Sequence, residues 1–447
     1  MVELKTIPDI KVTPPGPNAK KLLELDDKYI SPSYARFYPL VVDSAKDCLL
    51  KDVDGNTYLD FNAGISVVNV GHSHPKVVKA IQNQATKLIH YSNTDFYYEE
   101  SLLLAEKLCN VTPGNFPKRV FFTNSGAEAV EASFKVARWH TRRPQIVAFT
   151  KGFHGRTMGA LSLTGSKVVQ RRWFFPLVPG VTHVPFGYCY RCAFKEEYPG
   201  CDFQCINYID EVVFETFLPP EETLGFLFEP IQGEGGIVVP PDGYFQRLRK
   251  LAAKHNMLLI DDEVQTGLGR TGKLFAIEHW GIEPDVIAIA KGIAAGLPLG
   301  ACVAKANIMD WDPGAHASTF AGNPVSCVAA LATLNILADE NLVDNAARLG
   351  ESCIKRLKEM QEKYELIGDV RGKGLFIGIE LVKDRKNKKP AKEEAHEIIF
   401  QCFKKGLAII TAGYSTIRIA PPLVITEELM EIGLEIFEEV LRNVNAG

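Results

Sequence analysis

Short uninterrupted apolar runs recur along this chain, and each stops abruptly at polar or glycine-rich residues. Leu258, Leu259 and Ile260 lead into Asp261, Asp262 and Glu263. A second run from Asp285 to Ala290 ends in Lys291. Similar runs cover 119–123, 146–149 and 225–228. Runs of this length, bounded by turn residues, predict buried strands. Between them lie stretches of helical period, one ending near His140, one over 244–255 and one opened by Asn323 and Pro324 and reaching about Asp339. Strands alternating with helices predict an α/β fold with a mostly parallel sheet, whose functional groups gather at the carboxyl ends of the strands.

The flanking regions read differently. Residues 1–39 are a proline-containing arm that lies over another part of the molecule. Residues 48–60 alternate around Asp54 and Gly55, a hairpin signature. A small-residue loop follows at 61–66, then His72, His74 and Pro75, where Pro75 opens a helix and His74 sits at its cap rather than on a metal. After Asn341 come a helix over 343–364, a strand over 375–382, a charged loop over 383–389, a helix over 391–405, strands over 407–410 and 416–419, and a helix over 426–444. The expected organisation is an N-terminal arm and hairpin (1–70) joining a smaller α+β domain (336–447), around a large domain (71–335).

Composition narrows the class. Hydrophobic residues make up 46% of the 447 positions and charged residues 23%, ordinary for a globular protein. A net charge of -4 gives no reason to expect nucleic acid or an anionic membrane as partner. The first twenty positions lack a signal peptide's apolar core, and the most apolar window, 286–304, is broken by Lys291 and Pro298, so a cytoplasmic location is expected. Of ten cysteines, Cys189, Cys192, Cys201 and Cys205 cluster as CxxC then CxxxC. That spacing suits a structural zinc, disulfides or free thiols.

The candidate chemistry starts from an acid, Asp262, and an amine, Lys291, at neighbouring strand ends. Such a pair suits a pyridine cofactor: the carboxylate holds the ring nitrogen protonated and the amine forms a Schiff base with the aldehyde. Ser125, Gly126 and Ala127, between a strand and a helix, make either an anion pocket or a plain capped helix start. Phe153 and His154 lie between glycines at another strand exit, where an aromatic covers a planar ligand or plugs the core. Glu229 and Glu234 occupy a glycine-dense exit where backbone approaches something closely. The run from Gly267 to Lys273 matches both GxGxxG and GxxxxGK, but Leu274 stands where a phosphate loop needs Ser or Thr, and only a short helix follows, far past the first βαβ unit. Thr319 offers a loop hydroxyl to an anion or a cap. Arg418 lies inside an apolar strand; arginine cannot shed its charge, so it needs an anion, either Glu234 or a substrate carboxylate.

Taken in order, these stretches resemble the class III (ω-type) aminotransferases, pyridoxal-phosphate enzymes of fold type I, from about Tyr34 to Val444. The resemblance rests on 124–129, 153–157, 229–236, 262–267, Lys291 with Gly292, and 318–324. It implies a large α/β domain with a mostly parallel central sheet flanked by helices, plus a smaller α+β domain, and pyridoxal 5'-phosphate as cofactor. Lys291 and Asp262 resemble the catalytic lysine and the partner of the pyridine nitrogen. Val264 and Phe153 resemble the two faces of a ring sandwich, and Gln265 the contact to the ring hydroxyl. Gly126 and Ala127 resemble the phosphate amides, with Ser125, His154 and Glu229 completing the cofactor-binding set. The counterpart of Thr319 reaches the neighbouring subunit's cofactor, which implies a homodimer. Arg418 is similar to the arginine that binds a substrate carboxylate, and Glu234 to the acid that neutralises it when that carboxylate is absent. Ile65 stands where ornithine-type members tend to carry tyrosine. The implied activity is amino transfer from an ω-amino donor, 4-aminobutyrate or similar, to a 2-oxo acid such as 2-oxoglutarate. An amino-acid racemase or epimerase of the same family, some members of which carry a similar cysteine cluster, and an ornithine-type aminotransferase are the alternatives.

Overall fold

The computed structural model describes residues 7–445. The first helix, Pro17–Tyr29, lies inside the segment expected to be a proline-containing arm. Its N-terminus is capped from a distance. Asp54 accepts hydrogen bonds from Asn18 N (2.8 Å) and Ala19 N (2.9 Å), placing a carboxylate at the positive end of the helix. Asp54 sits in the hairpin turn that the sequence announced. Strands β1 (Val42–Lys46), β2 (Leu49–Asp52) and β3 (Thr57–Asp60) form an antiparallel meander around it.

After β3 the backbone makes a left-handed turn where only a loop was expected. Ala63, Gly64, Ile65 and Ser66 all have positive φ, from 51° to 67°. Asp60 Oδ1 holds its entry by accepting from Asn62 N (2.8 Å) and Ala63 N (3.0 Å). L-residues resist this conformation, β-branched ones most.

The central sheet contains β4 (Lys118–Thr123), β5 (Gln145–Phe149), β6 (Val181–Val184), β7 (Thr223–Phe228), β8 (Leu258–Asp262), β9 (Val286–Ile289) and β10 (Gly300–Lys305). Their lateral order is β4-β10-β9-β8-β7-β5-β6, and only β10 runs antiparallel to its neighbours. Every residue of β7 and of β9 is buried, which accounts for their continuous apolar sequence. One face packs the small side chains of helix Gly126–Thr141, such as Ala129, Ala132 and Val136, against Ala148, Leu227, Ile260 and Ala288. The other face carries aromatic packing: Phe149, Phe186, Tyr244, Phe245 and Trp280 lie edge to face or tilted in sequence. Helix Pro324–Asp339 packs on helices Pro75–Lys87 and Glu99–Val111.

Register is what positions the site. Phe228 of β7 pairs with Asp261 of β8, and Asp262 pairs with Ala288 of β9. The residues that follow these pairs, Glu229, Asp262 and Lys291, therefore emerge from one edge of the sheet.

The C-terminal part contains helix Leu342–Lys363, β11 (Ile367–Lys373), β12 (Phe376–Asp384), β13 (Lys389–Pro390), helix Lys392–Lys404, β14 (Leu407–Ala408), β15 (Ile410–Ala412), β16 (Thr416–Ile419) and helix Glu427–Asn445. Its sheet runs β11-β12-β16-β15, with β13 added to β12. Strand β14 pairs in parallel with β3 and so joins the N-terminal meander to this part. The lysine-rich segment after Val382 is partly strand, because its ends pair as β12 and β13. Among the described residues, no single helix is long and apolar enough to cross a membrane.

Candidate functional site

Three strand ends supply the centre. Lys291 opens a tight turn, Lys291–Ala294, with φ of +48°. Lys291 is half-buried, and desolvation by the surrounding protein brings its pKa down to about 8, against the opposing pull of Asp262. Asp262 is 3% exposed, and its carboxylate is held twice. His154 Nδ1 donates to Oδ2 (2.7 Å) and Val264 N donates to Oδ1 (3.1 Å). The same carboxylate fixes the tautomer: an acceptor on Nδ1 requires the proton there. His154 Nε2 is buried without a partner.

Glu229 ties two loops together. Its Oε1 accepts from Phe153 N and its Oε2 from Gly233 N, both at 2.9 Å. Burial pushes its carboxyl up to about 7, opposed by His154 and reinforced by Asp262. This clamp positions Phe153, which is half-buried, with the exposed Arg156 guanidinium 5.6 Å over its ring. Asp261 and Glu263 alternate to the opposite face of the strand and are fully buried. Burial raises both carboxyls, Glu263 to about 8. They shape the core and do not enter the site.

The turn before helix Gly126–Thr141 holds both of the roles its sequence allowed. Ser125 is the cap, its Oγ accepting from Glu128 N at 3.2 Å. The first backbone bond of the helix runs from Ala129 N to Ser125 O, so the N–H groups of Gly126 and Ala127 precede the ladder and stay available to an anion. Gly126 also permits a close approach. A Cβ there would stand 2.7 Å from Val264 Cγ1, on the half-buried Val264. At Gly233 a Cβ would collide with Oε1 of the buried Gln265. Thr319 is exposed, and its neighbour Ser318 accepts from Asn124 Nδ2 at 3.0 Å, so the Thr319 loop abuts the Ser125 turn. Ile65 is 42% exposed on the left-handed turn.

Arg418 lies on β16 opposite Gly378 and is 2% exposed. Its Nε and Nη1 are buried with no partner, and burial lowers its pKa against the pull of Glu234. Of the two anions expected for it, Glu234 or a substrate carboxylate, Glu234 is turned elsewhere in this structure: its Oε1 accepts from Lys167 Nζ at 2.6 Å, a more exposed partner that costs less desolvation.

All ten cysteines are free thiols in this structure, one of the three states the CxxC and CxxxC spacing allowed, and among the described residues no three His, Cys, Asp or Glu side chains converge on a metal position. Cys205, on helix Gln204–Tyr208, packs against the core while Cys189 is exposed on the turn Cys189–Arg191, and the four thiols lie near enough that Cys189, Cys201 and Cys192 add to the burial that raises Cys205. The glycine run after Gln265 is not a phosphate loop. Arg270, fully buried, donates from Nη1 to Leu375 O (3.1 Å) and Pro421 O (2.5 Å) and from Nη2 to Asn69 Oδ1 (2.8 Å). Asn69 packs against Gly292, one residue beyond Lys291. Arg270 thus ties the C-terminal part to the turn that carries the lysine. Sequence reading missed Arg270, Asn69 and Lys167; the signal available was an arginine, with no nearby acid, inside a glycine-rich turn.

Known proteins of this shape and sequence exist. The isoleucine 2-epimerase of Lentilactobacillus buchneri is 43% identical over 96% of this chain and 96% of its own. The 4-aminobutyrate aminotransferase of Escherichia coli is 39% identical over 94% of this chain and 97% of its own. The crystal structure of a Bacillus anthracis aminotransferase superposes with a TM-score of 0.88 at 33% identity, covering 95% of this chain and 99% of that one. A profile of the class-III aminotransferases spans residues 29–441. With its sheet order, its site at the strand ends and this match over nearly its whole length, the chain belongs to the class III aminotransferase family, whose cofactor is pyridoxal phosphate.

Proposed function

We propose that this enzyme moves an amino group from an ω-amino donor, 4-aminobutyrate or a close analogue, to a 2-oxo acid such as 2-oxoglutarate. The residues fit the cofactor. Free amides at Gly126 and Ala127 suit its phosphate, half-buried Val264 and Phe153 are the candidate faces for its flat ring, and buried Asp262 suits a protonated ring nitrogen. When bound, pyridoxal phosphate supplies an aldehyde that captures amines and a cationic ring that draws in the electron pair left as a proton departs.

The protein supplies the rest. His154 and Val264 N keep Asp262 oriented. Lys291, with its pKa near 8, is a neutral base for a useful fraction of molecules at neutral pH, so it takes the proton from the substrate carbon and returns it. Glu229 holds the Phe153 loop over the site.

The observation that carries the proposal is Arg418. A buried guanidinium with two unpaired N–H groups, its charge felt at Lys291, is a prepared receptor for the carboxylate of an incoming oxo acid. Exposed Arg156 near Phe153 offers a second cation for a dicarboxylate.

Racemisation is the second reading, favoured by the 43% identity to an epimerase. It needs a second base on the face opposite Lys291. Glu234 is the candidate, and in this structure its carboxylate accepts from Lys167. One incubation separates the readings: holoenzyme with 4-aminobutyrate, ornithine or single enantiomers of hydrophobic amino acids, with and without 2-oxoglutarate. Amine transfer that requires the oxo acid supports the proposal; scrambling of an enantiomer without acceptor overturns it.

The active form we propose is a homodimer. Tyr91, Phe96, Tyr97 and Phe320 are all at least half exposed, and Tyr98 OH to Gly322 O (2.6 Å) binds their two segments into one apolar surface beside Thr319.

A further inference from the structure

Resting on that reading of the site, we infer that Lys167 is a positioning residue that decides whether Arg418 is open to a substrate carboxylate. The backbones of both groups are fixed. Glu234 O accepts from Gly413 N at 2.9 Å, in the hairpin between β15 and β16 that leads to Arg418. Lys167 follows Gly165, which donates to Gly152 O (2.8 Å) and accepts from Lys151 N (2.9 Å), so it is anchored to the Phe153 loop. Only the Glu234 side chain has a choice of cation. On Lys167 it leaves Arg418 unpaired, as observed. On Arg418 it would cancel the guanidinium and leave the site suited to a donor that carries no carboxylate beside its amine.

The balance between these positions is fine enough to switch. The Lys167 and Glu234 side chains are 38% and 26% exposed, and a half-solvated pair of this kind shifts an equilibrium by about two- to fivefold. Arg418 offers a stronger pull but demands that the carboxylate be desolvated. Neither cation wins outright, so an arriving oxo acid and an arriving amine donor can each find the form it needs.

The test uses holoenzyme and glutarate, a dicarboxylate with no carbonyl to react, with affinity read by calorimetry. Lys167→Met should weaken glutarate about two- to fivefold and raise KM for 2-oxoglutarate by a similar factor at nearly constant kcat, while kcat/KM for 4-aminobutyrate holds or rises. Lys167→Arg should restore glutarate binding. Glu234→Gln added to Lys167→Met should restore it too, because the competitor for Arg418 is then neutral. Unchanged glutarate affinity in Lys167→Met, or a loss that persists in the double variant, overturns the inference. Glutarate binding reads this switch even if the enzyme proves to racemise, and transfer that proceeds with an unmoved glutarate affinity sinks the switch alone.

Discussion

Replacing Arg418 by methionine should strengthen the fold and destroy the function. The guanidinium is 2% exposed, two of its nitrogens have no partner, and Glu234, the acid whose pull it feels, is occupied by Lys167. The substrate-free protein therefore carries an incompletely compensated charge in its interior. Exchanging such a charge for an apolar side chain of similar volume gains about 1–4 kcal/mol. Over 447 residues, with an unfolding entropy of about 2 cal/mol/K per residue, that is a rise in Tm of about 1–4 °C. The same change removes the fork that the oxo acid's carboxylate would meet, a loss of about 2–5 kcal/mol, or 30-fold to several thousand-fold in kcat/KM. Calorimetric melting of substrate-free holoenzyme and steady-state kinetics with 2-oxoglutarate measure the two effects on one preparation. A variant that melts lower than the parent yet keeps its acceptor kinetics would refute the reasoning, because Arg418 would then be a structural cation with an unrecognised partner.

The Lys291 amine should titrate low in cofactor-free protein, with acylation followed by mass spectrometry half-maximal near pH 8; a midpoint at the ordinary lysine value near 10.4 would contradict the burial argument. Because the folded pKa lies below the unfolded one, the unfolded chain holds more protons between about pH 8 and that value. This group's contribution to stability therefore rises with pH across the window and is at its least below it. Arg270→Met should cost about 3–5 kcal/mol in denaturant unfolding, since Leu375 O, Pro421 O and Asn69 Oδ1 lose their donor together; a loss under about 1 kcal/mol would show that water or another donor replaces it.

The strand ends were legible because burial on both faces forces uninterrupted apolar sequence, and the switch from Ile260 to Asp261 or from Ala290 to Lys291 marks where the chain reaches the sheet edge. Helix starts at Pro75 and Pro324 were legible for a local reason, their caps His74 and Asn323 accepting from Lys76 N and Ser326 N. Strand β11 was not, since Gly368, Arg371 and Gly372 interrupt it and its stability comes from pairing with β12. Helix Pro17–Tyr29 lacks a side-chain cap of its own and borrows Asp54 from a hairpin 36 residues away. The same limit hid the control of Arg418. Lys167 and Glu234 are 67 residues apart, and nothing in either neighbourhood names the other. Resemblance supplied the roles of Lys291, Asp262 and Arg418, but the hydrogen bonds that orient them came only from the folded chain.

The left-handed turn has a consequence for laboratory evolution. Ile65 combines a branched β-carbon with a φ of +67° on a segment held by Asp60, a conformation that costs about 1–3 kcal/mol. Glycine or asparagine would relax it. A library randomised at this one codon should therefore return clones that withstand heat at least as well as the parent. Donor preference can then be selected in a single round, with no need to stabilise the scaffold beforehand.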